Sequence, residues 1–263
     1  MNFCRIVSIL LLVALFVGCT KGVPDIVKSP ETAGDQIDGS IPLANKRVVI
    51  LKNSIGPAML KWGGVKDSIR WGLSRQVTGE NSRDAAALLG SIGLFAESNG
   101  DTVRFYVQAP TGITRFTFST LVSLGVPYDS MAYIIDGVQG TTTVADLGAN
   151  LRIRNVHGVT VKRLNASCDI VSSDGGVTTE VALPPDGFCY ITAVKGTITL
   201  KVPTNTSANV TARTTHGSIS YSNLTFTGLN QQTGSLSGRL GAGNGQIRLE
   251  TGEGNIVIQG ILP

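Results

Sequence analysis

Aromatic and charged residues are scarce in this 263-residue chain, at 6% and 15% of the sequence, and it has only two histidines and four cysteines. The 22 basic and 18 acidic side chains leave a net charge of +4, which provides no concentrated basic surface for binding phosphates. With 42% hydrophobic residues, the chain is neither a disordered tail nor a multi-pass membrane protein. The composition therefore excludes a nucleic-acid-binding protein and predicts one globular unit or two small ones.

A short apolar segment opens the chain. Residues 1–18 contain one positive charge, Arg5, and an apolar run that is too short to span a membrane, which is the layout of a secretory signal peptide. The ending Phe16-Val17-Gly18-Cys19 resembles the bacterial lipobox, and this resemblance implies lipidation of Cys19. The next residue is Thr20 and not Asp, and resemblance to Gram-negative lipoproteins then implies export to the outer membrane. An ordinary signal peptide that happens to end beside a cysteine is the alternative.

The next segment, residues 19–44, mixes glycine, proline and charged residues without an apolar period. This composition predicts a flexible tether. The lipid would hold the protein on the membrane surface without spanning it. The tether would join the lipid to a domain over residues 45–263.

Two cysteines remain for that domain, because Cys4 leaves with the signal peptide and Cys19 carries the lipid. Cys168 and Cys189 lie 21 residues apart, a spacing that matches neither a zinc nor a haem motif. An exported protein meets conditions that permit disulfides. We predict a bridge between these two residues, with two stacked free thiols as the alternative, and we expect no metal and no cofactor.

Glycine followed by alternating β-formers recurs from about residue 137 onward, in runs that start at Gly140, Gly158, Gly176, Gly196 and Gly217 and twice more before the C-terminus. The intervals of 18, 18, 20 and 21 residues between these five glycines predict stacked units, none of which buries its apolar face alone. After Gly158 and Gly176 the apolar positions shift by one residue, which requires a bulge or a differently placed corner. A polar insertion over about residues 222–238 is expected to form a loop or a long hairpin.

Two segments carry a resemblance to known proteins: ANVTARTTHGSI, residues 208–219, and the closing G-x-G-x-I-x-L-x-T-x-x-G-x-I run, residues 243–256. They resemble the bacterial candidate-adhesin families of β-strand repeat proteins, and the resemblance extends over about residues 45–260. It implies an envelope-exposed, β-solenoid-like domain without established enzymatic activity. It supplies no catalytic motif to transfer to this chain.

The N-terminal part of the domain, residues 45–125, is less regular than residues 126–263. Asn81 or Ser82 is expected to cap a short helix over Arg83–Leu89, because Ala85 to Leu89 are strong helix formers. We therefore predict an all-β fold, a β-solenoid stack whose end this helix covers, with a β-sandwich as the alternative. Alternation predicts six strands here, over residues 47–51, 58–62, 68–73, 91–96, 102–108 and 114–124.

Two tryptophans are the candidate ligand-binding residues. Trp62 and Trp71 have Lys61, Lys66 and Arg70 as sequence neighbours, and exposed aromatic rings beside polar groups can stack on sugar rings. The alternative is that these tryptophans pack one end of the domain, because tryptophan side chains are highly buried on average.

Other polar residues are weaker candidates. His157 and His216 each precede a repeat glycine, so that they either form a metal or pH-sensing pair or occupy polar corners. Glu250 and Glu253 are the nearest pair of carboxylates, but the alternation places Glu250 outward and Glu253 in a turn, as expected for solvated surface.

These observations predict no catalytic residues and no enzymatic activity. We expect a lipid-anchored structural or adhesin-like interaction protein of the cell envelope, with an envelope polysaccharide or a protein as its partner. Two other functions stay open: a solenoid that binds or acts on polysaccharide, and a periplasmic accessory or sensor protein.

Overall fold

The computed structural model describes residues 29–53, 55–64, 66–129 and 131–262, so the predicted signal peptide and Cys19 lie outside the described residues. One helix interrupts a succession of short strands. In chain order the elements are β1 (Glu31–Pro42), β2 (Val48–Lys52), β3 (Ala58–Trp62), β4 (Ser68–Gly79), α1 (Ser82–Leu89), β5 (Gly93–Asn99), β6 (Thr102–Gln108), β7 (Thr117–Val126), β8 (Ala132–Val138), β9 (Thr142–Leu147), β10 (Leu151–Asn155), β11 (Val159–Leu164), β12 (Cys168–Asp174), β13 (Val177–Val181), β14 (Phe188–Lys195), β15 (Ile198–Pro203), β16 (Ala208–His216), β17 (Ile219–Ser222), β18 (Phe226–Gln232), β19 (Ser235–Leu240), β20 (Gly245–Glu253) and β21 (Ile256–Ile261).

The strands form two sheets that share one hydrophobic core. Sheet A has ten strands in the order β1-β4-β7-β3-β9-β11-β13-β15-β21-β17. Sheet B has eleven strands in the order β18-β19-β16-β20-β14-β12-β10-β8-β2-β6-β5. From β8 to β15 the chain enters the two sheets alternately, and successive coils pair in parallel. The predicted all-β solenoid is confirmed, and the β-sandwich alternative is not adopted.

Each coil buries every second side chain. In β15, Ile198, Leu200 and Val202 are fully buried, whereas Thr199 and Lys201 between them are partly exposed. This two-residue period is that of a strand with one face on a core. Both sheets and the hydrophobic core extend from the N-terminal strands to the repeats.

Small polar side chains at one corner of the stack bind the backbone where the chain leaves sheet B. The Thr214 hydroxyl donates to the carbonyl of Gly254 at 2.8 Å, and the Thr251 hydroxyl donates to the carbonyl of Gly196 at 3.0 Å. Ser172 makes the equivalent bond two coils away. These bonds supply hydrogen-bond donors to carbonyl groups inside the corner.

The corner itself explains the one-residue shift in the repeat. At Gly196 the backbone has φ +121°, and a Cβ there would lie 2.5 Å from the carbonyl carbon of Gly175, so only glycine fits. In the coil of β11 this position is taken by His157, and Gly158 follows it. The glycine of this repeat therefore lies one residue after the corner position, while β11 keeps its register with β9. The equivalent positions, each two residues before the first inward side chain of a sheet A strand, are Gly140, His157, Gly175, Gly196, Gly254 and Gly217.

The N-terminal end of the stack carries α1, which lies against β1 and β4. Asn81 is the N-cap, and its side chain accepts a hydrogen bond from the backbone N–H of Asp84 at 2.8 Å. Ala85 and Leu89 are the buried residues of the helix. The predicted capping helix is therefore confirmed, including its start.

The tether prediction is wrong for residues 31–42. Strand β1 pairs antiparallel with β4 along its whole length, from Glu31 opposite Gly79 to Pro42 opposite Ser68. Pairing with β4, a strand of equal length, gives order to a segment whose own composition does not predict a strand. The start of the expected tether, residues 19–28, lies outside the described residues. Within the part of the chain that is described, no helix has the length and apolar character to cross a membrane.

Candidate functional site

A groove of about 860 Å³ lies at the corner where β3 and β7 end. We call it the Trp62 groove. Its walls come from four separate stretches of chain that the stacking brings together. The side chains that line it include Trp62, Lys66, Asp67, Tyr128, Asp129, Asp146, Arg163 and Asn165.

Trp62 stands at the mouth of this groove because of its place in β3. It continues the inward parity of Ala58 and Leu60, which are buried, but it lies at the last position of the strand, beyond the core. Its side chain is consequently 53% exposed. The Tyr128 ring packs against it edge to face, with ring centroids 6.3 Å apart and an interplanar angle of 75°. The two rings form an aromatic wall that is open to solvent on one side.

Tyr128 is held in place from two directions. Its hydroxyl accepts a hydrogen bond from the Asn165 side-chain amide at 2.7 Å. Its ring lies so close to Gly148 that a Cβ there would be 2.4 Å from the ring. Tyr128 is therefore held in place before any ligand arrives, which lowers the entropy lost on binding.

The polar part of the groove lining includes an ion pair between successive coils. Arg163 of β11 donates two hydrogen bonds to Asp146 of β9, one of them from Nη2 at 2.9 Å. Both residues have left-handed backbones, with φ values of 50° and 59°. Such values are uncommon for residues with side chains, and here they re-aim two neighbouring side chains at the end of the sheet.

The electrostatics of the pair follow from this contact. The hydrogen bonds from Arg163 hold the pKa of the Asp146 carboxyl below its ordinary value, against a smaller opposing effect of burial. Asp146 is therefore ionised at neutral pH and is suited to accept hydrogen bonds from hydroxyl groups, not to donate a proton. Together with Lys66, Asp67 and Asp129, the pair gives the groove both signs of charge.

Trp71 does not line this groove. It lies in β4 directly opposite Gly39 of β1, where its ring covers the glycine so closely that a Cβ would be 2.5 Å from it. The ring also packs against the hydrophobic core. The structure thus separates the two candidate tryptophans: Trp62 is at a groove, and Trp71 packs β1 onto the sheet.

Cys168 and Cys189 are directly opposite each other on β12 and β14, which confirms that residues 21 apart lie on neighbouring coils. Both are free thiols and fully buried, and their Sγ atoms are 3.5 Å apart. The hydrogen bond with Cys168, together with burial, raises the pKa of the Cys189 thiol well above its ordinary value. The predicted bond between them is not formed in the structure.

The weaker candidates are surface residues. His157 lies 4.0 Å from Asp174, and His216 sits opposite Glu253 on another pair of strands, so the two histidines are not brought together. Glu250 is bound by Arg248 at 2.7 Å, as a solvated surface carboxylate is expected to be. No group of three His, Cys, Asp or Glu residues that could hold a metal occurs in the described part of the chain.

The repeat region of the chain is similar to a known protein family. Residues 105–259, more than half of the chain, match the family model Toastrack DUF4097, which confirms the resemblance to repeat families. A solved structure of a candidate cell adhesion protein from Clostridium sporogenes is 9% identical and covers 87% of this chain and 100% of its own, with a TM-score of 0.49.

Two further solved structures are similar at lower scores. A candidate adhesin from Bacteroides fragilis is 11% identical and covers 85% of this chain and 97% of its own, with a TM-score of 0.27. A candidate lipid-binding protein from Parabacteroides distasonis is 11% identical and covers 85% and 96%, with a TM-score of 0.24. No curated protein sequence matches the chain.

Proposed function

Since the chain belongs to the Toastrack DUF4097 family and carries the Trp62 groove, we propose that it is an adhesin-like interaction protein of the bacterial envelope that binds carbohydrate. The observation that supports this most is the half-exposed Trp62 ring beside Tyr128, in a groove that the Asp146–Arg163 ion pair also lines. Sugar rings have one face of C–H groups, which packs on an aromatic ring, and a rim of hydroxyl groups, which needs hydrogen-bonding partners.

The polar side chains of the groove favour a neutral sugar. Three carboxylates, Asp67, Asp129 and Asp146, stand beside two cationic side chains, Lys66 and Arg163. Sugar hydroxyl groups can donate hydrogen bonds to the carboxylates and accept them from the cationic side chains. Such hydrogen bonds to ionised groups are stronger than those between neutral groups. An acidic sugar would face the carboxylates, and an apolar ligand would leave the charged groups unpaired.

Binding rather than catalysis fits the same geometry. Asp146, whose pKa Arg163 lowers, stays ionised and is a poor proton donor, and general acid catalysis needs a carboxyl whose pKa is raised. We propose that the protein holds its ligand without transforming it.

The groove can be tested by calorimetric titration with soluble neutral oligosaccharides of glucose, mannose and galactose. We expect at least one of them to bind and Trp62→Ala to weaken that binding by tenfold or more, which is about 1.4 kcal/mol. Phe95→Ala is the matched control, because Phe95 is also an exposed aromatic residue, at 45%, and lies outside the groove. Failure of all three sugars to bind, or equal losses in the two variants, would overturn the proposal.

We also propose that lipid on Cys19 anchors the protein to the outer membrane of a Gram-negative bacterium, so that the solenoid is displayed from the membrane surface. Several acyl chains attached at one cysteine hold a domain on a membrane surface without spanning it. Metabolic labelling with a palmitate analogue tests this. Cys19→Ala should abolish the label and release the protein, while Cys4→Ala, a cysteine of the predicted signal peptide, should keep it; label retained after Cys19→Ala would contradict the anchor.

A further inference from the structure

The outer face of sheet B carries a second groove, which is separate from the Trp62 groove. It has a volume of about 780 Å³ and crosses the strands between β10 and β16. We call it the arginine groove. Its floor is formed by short or flat side chains, Val171, Thr192 and Tyr190, and its sides are formed by Arg154, Arg213 and Arg248.

The strand register places these arginines on two sides of the floor. Arg154 of β10 pairs with Val171 of β12, and Val171 pairs with Thr192 of β14. Thr192 pairs with Glu250 of β20, and Glu250 with Arg213 of β16. Since neighbouring strands are about 4.8 Å apart, Arg154 and Arg213 are separated by four strand spacings, or about 19 Å.

Arg248 lies on the next row, where the register runs from Arg152 through Asp169 and Tyr190 to Arg248. Arg152 and Arg248 are therefore about 14 Å apart along the stack, or three strand spacings. The Tyr190 hydroxyl between them donates to the Gln246 side chain at 2.7 Å. The floor thus presents fixed polar groups between two sets of cations.

Cations outnumber anions at this groove. Arg154 contacts Asp169, which Arg152 also approaches at 3.9 Å, and Arg248 binds Glu250 at 2.7 Å. Arg213 is exposed and makes no ion pair with the described residues. The groove lining thus has three arginines and two carboxylates, and Arg152 beside it adds a fourth cation. The near balance of basic and acidic residues in the whole chain conceals this local excess.

We propose that the arginine groove binds an acidic polysaccharide, which lies along the stack and across the strands. Guanidinium groups bind carboxylate and sulfate groups with two parallel hydrogen bonds, and Thr192 and Thr211 offer hydroxyl groups to the sugar rims. A linear polymer with charges at intervals meets arginines about 14 to 19 Å apart. Asp169 and Glu250, which lie between the arginines, disfavour the continuous phosphates of nucleic acid, and the polar groove gives a lipid bilayer no apolar surface to enter.

This proposal does not depend on the Trp62 groove. The probe is polygalacturonate, in affinity electrophoresis and calorimetry at low ionic strength, with dextran as the neutral polymer. We expect polygalacturonate to retard the protein and dextran not to do so. Binding should weaken steeply as NaCl is added, since salt screens exposed charges. Trp62→Ala should leave it unchanged.

The variant Arg213→Gln/Arg248→Gln removes one unpaired and one paired cation, and we expect binding at least tenfold weaker. Arg83→Gln/Arg115→Gln is the matched control, because both residues lie outside the groove and the net charge changes equally. Circular dichroism should show that both variants are folded. Absence of binding, equal losses in the two variants, or binding of DNA or phosphatidylglycerol vesicles in place of polygalacturonate would overturn the proposal.

Discussion

The central coils of this solenoid and its two ends are built by different rules. From β8 to β15, four coils stack in the order in which the chain makes them. At the C-terminal end, the last coil, β20 and β21, is inserted between β14/β15 and the earlier coil β16/β17. At the N-terminal end, β2 and β3 likewise lie between β6/β7 and β8/β9.

The side chains of the two C-terminal coils account for their order. In β21, Ile256 and Ile258 point inward and are completely buried, which requires a neighbouring coil on each side. In β17, Ile219 is 8% exposed and Tyr221 37% exposed. This strand therefore leaves less apolar area exposed at the edge of the sheet than β21 would. Burial of apolar area, at about 25 cal/mol per Å², favours placing the more apolar coil inside. The order of the coils in the stack therefore follows their apolar content, not their order in the chain.

The most damaging substitution is expected at the corner where the central stack meets the inserted coil. Gly196→Val places a Cβ 2.5 Å from the backbone of Gly175 at a φ of +121°, so we expect the variant to lose well over 3 kcal/mol or fail to fold. Gly90→Ala is the control, since Gly90 has φ −61° and a Cβ added there would meet nothing within 4 Å, and it should be neutral or slightly stabilising. Urea unfolding distinguishes them. A folded Gly196→Val protein of normal stability would contradict the tight corner.

The second prediction compares the inserted coil with the edge coil. Ile258→Ala should cost about 4 kcal/mol, because it opens a cavity between two packed coils. Ile219→Ala should cost about 2 kcal/mol, because the edge can relax around the smaller side chain. Urea midpoints of the two variants give the comparison. Equal losses would mean that β17 packs as firmly as β21, and the explanation of the coil order would fail.

The third prediction concerns the central register. Cys168 and Cys189 are paired across β12 and β14, and a bridge between them would stabilise the protein by about 3 kcal/mol for a loop of this length. The raised pKa of the buried Cys189 thiol disfavours the thiolate that must attack, so the bridge has to form before the coils pack.

Oxidative refolding tests this bridge. In a Cys4→Ala/Cys19→Ala background, we expect protein refolded with oxidised glutathione to lose both remaining thiols and the mass of two hydrogens, as oxidised glutathione is reduced. A reduced protein that is already folded should stay unreactive. Cys168→Ala is the control that leaves one thiol. Free labelling of both cysteines after oxidative refolding and denaturation would reject the bridge.

Local patterns predicted most of the elements, because alternation and capping are decided by neighbouring residues. The strand expected over residues 47–51 spans Val48–Lys52, the helix expected after Asn81 spans Ser82–Leu89, and the polar insertion forms the β18–β19 hairpin. Strand β1 was missed because its order comes from β4, not from its own sequence. The coil order was missed because two glycine-led repeats look alike until their neighbours are known.

The candidate site was predicted only in part, for the same reason. Trp62 is recognisable alone, as a large ring at a strand end. Its partners Tyr128, Asp146 and Arg163 come from other coils, and no local pattern joins them. The one usable signal is that Asp146 and Arg163 are 17 residues apart, close to one coil, with opposite charges.

The smallest effect on stability is expected from Arg75→Gln at the N-terminal edge, where Arg75 of β4 binds Asp35 of β1. Its guanidinium binds both carboxylate oxygens of Asp35, at 2.6 and 2.9 Å, and donates to the carbonyl of Ile92 at 2.6 Å. The hydrogen bond from Arg75 lowers the pKa of Asp35 from its ordinary 3.8. A lowered pKa means that the ionised carboxylate favours the folded state, so this contribution is present above about pH 3.8 and is lost as the pH falls through the lower value.

Trp71 reports on this edge, since its ring covers Gly39 of β1. In a Trp62→Phe background, Arg75→Gln should shift the Trp71 emission to the red at neutral pH. Without Arg75→Gln, acidification of the Trp62→Phe protein through the lowered pKa of Asp35 should give the same shift. Arg70→Gln, on the same strand and exposed, should not. Because Asp35 is 41% exposed, solvent screens the pair and the global unfolding midpoint should hardly move. A large fall in that midpoint would show that the edge supports the central coils, and the contrast between the two regions would be weaker than their packing indicates.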